Sequence, residues 1–239
     1  MRKEAIRETL ERNEIPFTGE LPEQLAIYLA LLGEWNRKMD LTAEASEEEW
    51  LDRHLIDSLT VLKTDLFPTG GCAIDVGTGA GFPGLVLAMA CPDCRMTLLD
   101  AQQKRLNFLQ AVVEAIGLKN TALRHARAED GARTKDLREQ FDAVLARAVA
   151  PLNVLCEYLL PYARIGGYAL CWKGPSLREE LEGGRKAAFL LGGRVGEVFS
   201  CPVVGRDWDH LILSIHKERK TPGIYPRKAG TPAAQPLGT

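Results

Sequence analysis

Long apolar runs are missing from this 239-residue chain, and none approaches the roughly 20 residues that cross a bilayer. The opening stretch MRKEAIRETLERNE alternates charge too densely for the apolar core of a signal peptide, so the expected location is the cytoplasm, away from membrane. Histidine is scarce, with four residues, and the six cysteines offer only one suggestive spacing, Cys91 and Cys94 in CPDC. A zinc site needs a second such pair or a spaced histidine pair, and neither is present. The expectation is therefore no metal, reduced thiols and a plain turn at CPDC. Charge of one sign is lacking too. The net charge of −2 excludes a broadly cationic nucleic-acid binder. It is spread unevenly, however: residues 1–68 carry 8 basic and 15 acidic side chains, residues 101–140 carry 8 and 5, and residues 217–239 carry 5 and 1.

The segments that are present divide the chain into three: a helical part over 1–68, a core over 69–216 and a tail over 217–239. In the first part Leu25, Tyr28, Leu29, Leu32, Trp35 and Met39 recur at helical spacing, a shorter helix precedes them, and Ser46 with Glu49 opens a third in a capping-box pattern. From Cys72 onward the pattern changes. CAIDVG, RMTLLD, TALRHA, FDAVLAR, GYALCWK, GRVGEVFS and HLILSIH read as short strands, the first five separated by helical segments. Such alternation predicts an α/β fold: seven strands, mostly parallel, helices on both faces, and one late antiparallel strand. The tail holds four prolines and three glycines in 23 residues, which predicts an extended or mobile arm.

The chemistry concentrates in IDVGTGAGFPG, residues 74–84, with four glycines after an apolar strand. Gly79, Gly81 and Gly84 satisfy the dinucleotide spacing G-x-G-x-x-G, whereas Gly77, Gly79 and Gly81 give G-x-G-x-G. Three neighbours weigh between a pyrophosphate and a sulfonium donor. Pro83 removes an amide where a helix N-terminus would hold phosphate. Asp75 faces a phosphate poorly but suits a cationic amino group. Asp100, ending the second strand, suits the two ribose hydroxyls of either ligand. None of the five tyrosines has a lysine four residues on, so the short-chain oxidoreductase pair is missing. S-adenosylmethionine is the cofactor favoured. A nicotinamide-dependent small-molecule oxidoreductase remains as an alternative, as does a non-catalytic binding protein, which the resemblance described below would make ribosome-associated.

The fourth strand runs into ARAVAPL, residues 146–152, without the Asn/Asp-Pro-Pro-aromatic grip for an exocyclic amine and without a Pro-Cys nucleophile. An acceptor atom that already owns an exposed lone pair, such as guanine N7, needs neither device; it needs positioning and desolvation. No general base is therefore assigned.

The motifs DVGTGAGFPG, LLD followed by KR and NFL, RAED, FDAVLARAVAPL and YALCWKG, with YLALLGEWNRKMDLTA and RHLIDSL upstream and the tail downstream, resemble the bacterial 16S ribosomal RNA guanine-N7 methyltransferases, the RsmG or GidB family. The resemblance covers nearly the whole chain. It implies the class I S-adenosylmethionine-dependent (Rossmann-like) fold with a helical N-terminal cap, and methylation of the guanine at position 527 of 16S rRNA. Apart from the resemblance, the near-neutral charge leads to the expectation of a folded substrate, the 30S subunit or a precursor particle, and the protein is expected to be a monomer. Carried onto this sequence, it implies donor contacts by Gly77 and Phe82, adenine contacts by Ala128 and Glu129, and a cofactor or target contact by Arg147. Gly79, Asp75 and Asp100 complete the expected donor set. Arg53 and Lys173 are expected to contact RNA, with a structural Arg53–Asp57 pairing as the alternative for Arg53.

Overall fold

Alternating side chains along the strands sort the interior into two cores, one on each face of a single sheet. The computed structural model describes residues 1–43, 46–147, 150–208 and 210–239. Seven strands form the sheet: β1 (Gly71–Val76), β2 (Cys94–Asp100), β3 (Thr121–His125), β4 (Phe141–Arg147), β5 (Ala163–Lys173), β6 (Gly193–Ser200) and β7 (Leu211–Lys217). Their order is β3-β2-β1-β4-β5-β7-β6, and β7 alone runs antiparallel to its neighbours. This is the class I methyltransferase arrangement, with the late antiparallel strand where the sequence places it.

The central strands read as near-continuous apolar runs because helices cover both faces. Ala73, Ala143, Leu145, Leu170 and Trp172 point into the first core, and Ile74, Val76, Val144, Ala146, Ala169 and Cys171 into the second. That is the period of two a strand imposes. The N-terminal helices Lys3–Arg12 and Leu21–Asn36 pack on the first face, with Leu21, Leu25, Tyr28, Leu29 and Leu32 forming a buried stripe. Helices Leu152–Leu159 and Leu177–Leu190 pack on the second.

Two segments differ from the sequence reading. The third N-terminal helix starts as expected, with Ser46 Oγ accepting from the Glu49 amide at 3.1 Å, but it widens to a π-helix over Trp50–Ile56. Such widening leaves carbonyls off the regular ladder, and here Arg53 O accepts from Arg147 Nη2 at 2.8 Å. The tail is no mobile arm. It folds back on the second face and ends in a short helix, Thr231–Ala234. Arg227 is drawn inward, closing on Glu157, a carboxylate with no exposed surface, while Arg219, Lys220 and Lys228 stay exposed.

Candidate active site

Strand order β2-β1-β4 opens a crevice at the carboxyl edge, where loops after neighbouring strands diverge to opposite faces. A cleft of about 650 Å³ lies there, of a size suited to a small ligand. Its floor is the glycine loop between β1 and the helix Gly84–Ala90. Gly77, Gly79 and Gly81 all take positive φ, and a side chain on Gly79 would meet no protein atom within 3.9 Å, so it would enter the cleft. Gly84 is glycine for another reason: its Cβ would lie 2.5 Å from that of Asp75.

The loop amides decide what kind of ligand fits. Gly77 and Thr78 donate to Leu99 O, Gly81 and Phe82 to Thr78 O, Gly79 to Asp100 Oδ2 at 2.9 Å, and Gly84 to Asp75 Oδ2 at 2.9 Å. A pyrophosphate is held by free amides at such a loop. Here the protein's own carboxylates and carbonyls have taken them, which removes the dinucleotide alternative's main contact. Gly77, Gly79, Phe82, Asp100, Ala128, Glu129 and Arg147 all line the cleft.

Asp75 is placed differently from the expectation. It is fully buried under the loop, outside the lining, with Oδ2 accepting from Thr78 Oγ1 and the Gly84 amide. Its Oδ1 has no partner among the described residues. Burial pushes this carboxyl up to about 6, against the pull of its two hydrogen bonds. Asp100 also works for the loop: Oδ1 accepts from Gln102 N at 2.8 Å, and Arg105 Nη1 lies 3.6 Å from Oδ2.

A second cleft of about 340 Å³ adjoins the first and shares His54 and Arg147 with it. Arg147 ends β4, held there by Arg53 O, His54 O at 3.4 Å, His54 Nδ1 at 2.7 Å and Asp57 Oδ2 at 3.3 Å. The His54 ring stacks on Phe82 at 4.6 Å. Asp57 also receives His210 Nδ1 at 2.8 Å, so its carboxylate serves Arg147 and His210. Arg53 lines this second cleft and lies over the Trp208 ring at 4.8 Å. Lys173 reaches the same edge, but its ammonium is spent on Glu180 at 2.5 Å, which leaves a neutral pair where a phosphate contact was expected. Ala148 and Val149 of the ARAVAPL segment lie outside the described residues.

Comparison with known proteins assigns the family. A family model described as rRNA small subunit methyltransferase G matches residues 21–207. The chain belongs to the rRNA small subunit methyltransferase G family. It is 45% identical over 215 residues to the protein of that name from Alkaliphilus metalliredigens, covering 90% of each chain. It is 43% identical to the one from Alkaliphilus oremlandii, covering 98% of each. Among solved structures, the Methanococcus jannaschii fibrillarin pre-rRNA processing protein superposes with TM-score 0.53 at 15% identity, over 67% of this chain and 74% of that one. The Pyrococcus horikoshii protein TYW2, solved in complex with MeSAdo, superposes with TM-score 0.51 at 13% identity, over 69% and 60%. These two share the fold.

S-adenosylmethionine, the methyl donor of such an enzyme, fits the residues present. The glycine floor leaves open space at Gly79, the amides of Gly77, Thr78, Gly79, Gly81, Phe82 and Gly84 already have protein acceptors, and a cationic ligand in the cleft would favour the ionised form of the Asp75 carboxyl buried beneath the loop. Burial pushes the Cys91 thiol to about 11 and the Cys94 thiol to about 12, so both favour the protonated form. No helix among the described residues is long and apolar enough to cross a membrane.

The sequence reading singled out His54 and Asp57 of RHLIDSL as cleft candidates, and both line the clefts, but it missed four contributors. His210 and Trp208 are lone aromatic residues with no motif around them, and their partners Asp57 and Arg53 stand far away in the sequence. Gly230 and Ala233 of the tail line the donor cleft, which a Pro/Gly-rich composition gave no reason to expect.

Proposed function

We propose that this methyltransferase transfers the methyl group of S-adenosylmethionine to N7 of a guanine in 16S rRNA, at position 527 by the family resemblance. In this reading it acts as a cytoplasmic monomer on the 30S subunit or a precursor particle. The observation that carries the proposal is the pair of adjoining clefts joined at Arg147 and His54: the larger suits the donor, and the smaller suits a single splayed-out base. Residues 1–68 roof the site, 69–216 form the catalytic sheet and 217–239 close its far side.

When bound, S-adenosylmethionine supplies an activated methyl on a sulfonium. The chain's own residues position and desolvate. Gly77, Gly79 and Phe82 would take the methionine end, Asp100 the ribose, and Ala128 with Glu129 the adenine. Guanine N7 carries no proton, so transfer to it releases none and no base is needed. The methylated ring gains a positive charge, which a bare guanidinium nearby would oppose. Asp57, 3.3 Å from Arg147 and nearly fully buried, offsets that charge. Arg147 is thereby kept as a rigid donor of hydrogen bonds at the junction.

The test is nucleoside mass analysis of 16S rRNA from a strain lacking the gene, complemented with wild type or Arg147→Ala. Loss of 7-methylguanosine in the deletion, restored by wild type alone, is expected. An unchanged 7-methylguanosine content in the deletion would refute the assignment. Calorimetry that found a nicotinamide dinucleotide bound and S-adenosylmethionine not bound would favour the oxidoreductase alternative.

A further inference from the structure

The tail is tied to the donor cleft by more contacts than a surface strap needs. The Gly230 amide donates to Glu129 Oε1 at 2.8 Å, and Glu129 is nearly buried in the cleft wall. Arg227 makes a two-pronged ion pair with the buried Glu157, Nη2 to Oε2 at 2.7 Å, while its own amide donates to Oε1 at 2.7 Å. Arg138 donates to Tyr225 O and Thr221 O, at 2.9 and 3.0 Å, and Arg133 donates to Pro226 O. Glu157 and Glu129 thus find partners in the tail for charges that burial would otherwise penalise.

Gly230 and Ala233 face the cleft on its Ala126–Glu129 side, beyond Asp100. With ribose at Asp100 and the methionine end at the glycine loop, that side holds the adenine.

Resting on the donor reading above, we propose that the C-terminal segment, residues 221–239, is a wall of the donor site at its adenine end, with Gly230 and Ala233 as its contact positions and Glu129 as the joint. The coupling is reciprocal. A docked tail raises donor affinity, and bound donor holds the tail down by the same factor. Glu129 then acts as a positioning residue whose orientation depends on the Gly230 amide.

The experiment compares full-length Ala233→Trp with full-length Ala234→Trp. Both alanines are exposed neighbours on the last helix, but Ala233 alone lines the cleft. Calorimetry is run with S-adenosylhomocysteine and with methylthioadenosine, which lacks the amino-acid end. Ala233→Trp should lose affinity about tenfold or more for both ligands by the same factor, and Ala234→Trp should bind as wild type. In turnover, Ala233→Trp should raise the donor KM while kcat stays near wild type, a split that general destabilisation would not give. Hydrogen exchange at the Gly230 amide of wild type should slow when ligand is added. Wild-type affinity in Ala233→Trp, or loss restricted to S-adenosylhomocysteine, overturns the proposal. Failure of wild type itself to bind either ligand would instead refute the donor assignment.

Discussion

Asp75 is the group whose perturbation tests the site most directly. Its carboxyl has no exposed surface, two hydrogen bonds on Oδ2, and burial that raises it from the ordinary 3.8 to about 6. A raised carboxyl makes the ionised form costly in the fold. Stability from this group is therefore greatest below the unfolded value and is lost as pH climbs from about 4 through about 6. At 1.36 kcal/mol per unit, a shift of roughly two units costs on the order of 3 kcal/mol above pH 7 and well under 1 kcal/mol near pH 4. Asp75→Asn removes the charge while keeping the shape and an oxygen for Thr78 and Gly84. Urea unfolding of both proteins from pH 4 to pH 8 should show the variant gaining on wild type by about 2–3 kcal/mol across that window, without donor. Donor affinity should run the other way. A cationic ligand favours the ionised carboxylate, so wild-type affinity rises with pH through about 6, and the asparagine variant is weaker and flat. A stability difference independent of pH, with unchanged donor binding, would refute both the burial argument and the compensation of Asp75 by the donor.

Four further substitutions divide cleft from scaffold. Gly79→Val directs a branched side chain into open cleft at φ +58, so donor binding should vanish in calorimetry while the fold survives with about 1–2 kcal/mol of strain. Gly84→Ala forces a Cβ to within 2.5 Å of that of Asp75, so it should lower the unfolding midpoint instead, by about 1–3 kcal/mol of overpacking. Asp100→Ala removes an acceptor of two amides and of the ribose, and donor affinity should fall about ten- to a hundredfold; a loss under about threefold would mean that loop and ribose are held elsewhere. Arg147→Lys keeps the charge but not the fork that spans Arg53 O, His54 and Asp57, so single-turnover methylation of 30S particles should slow by about tenfold or more with donor affinity less affected.

The sheet was legible because its information is local. Each strand is a short apolar run whose neighbours in sequence are helices, and the one antiparallel strand follows from the brief connection before it. The glycine loop was legible for the same reason, since four glycines after a strand have few structural uses. Long-range pairing was not. Asp57 looked like a one-turn partner for Arg53, but it pairs with Arg147 and His210, which lie 90 and 153 positions further on. The tail's composition argued against helix, yet a single short turn of helix forms at Thr231–Ala234, and disorder did not follow. Buried carboxylates on Glu157 and Glu129 supply what a missing apolar stripe could not, and they sit 70 and 101 positions from their tail partners.

Charge pairing at the carboxyl edge bears on how RNA is recognised. Lys173 is neutralised by Glu180, Arg147 by Asp57, and Arg206 by Asp52 and Glu48. Cations already paired with carboxylates release few counterions when a phosphate approaches, so the steep electrostatic route to affinity is weakened at the mouth of the site. What the edge offers in its place is surface of fixed shape: Trp208, with Arg53 over its ring at 4.8 Å and Arg206 at 5.5 Å, and the His54–Phe82 stack behind Arg147. Flat rings and guanidinium planes recognise splayed bases by stacking. On the substrate proposed above, a folded particle, a chain of net charge −2 would engage rRNA through a base the particle already holds out. Under that proposal the pairing that weakens nonspecific attraction leaves the choice of base to the small second cleft.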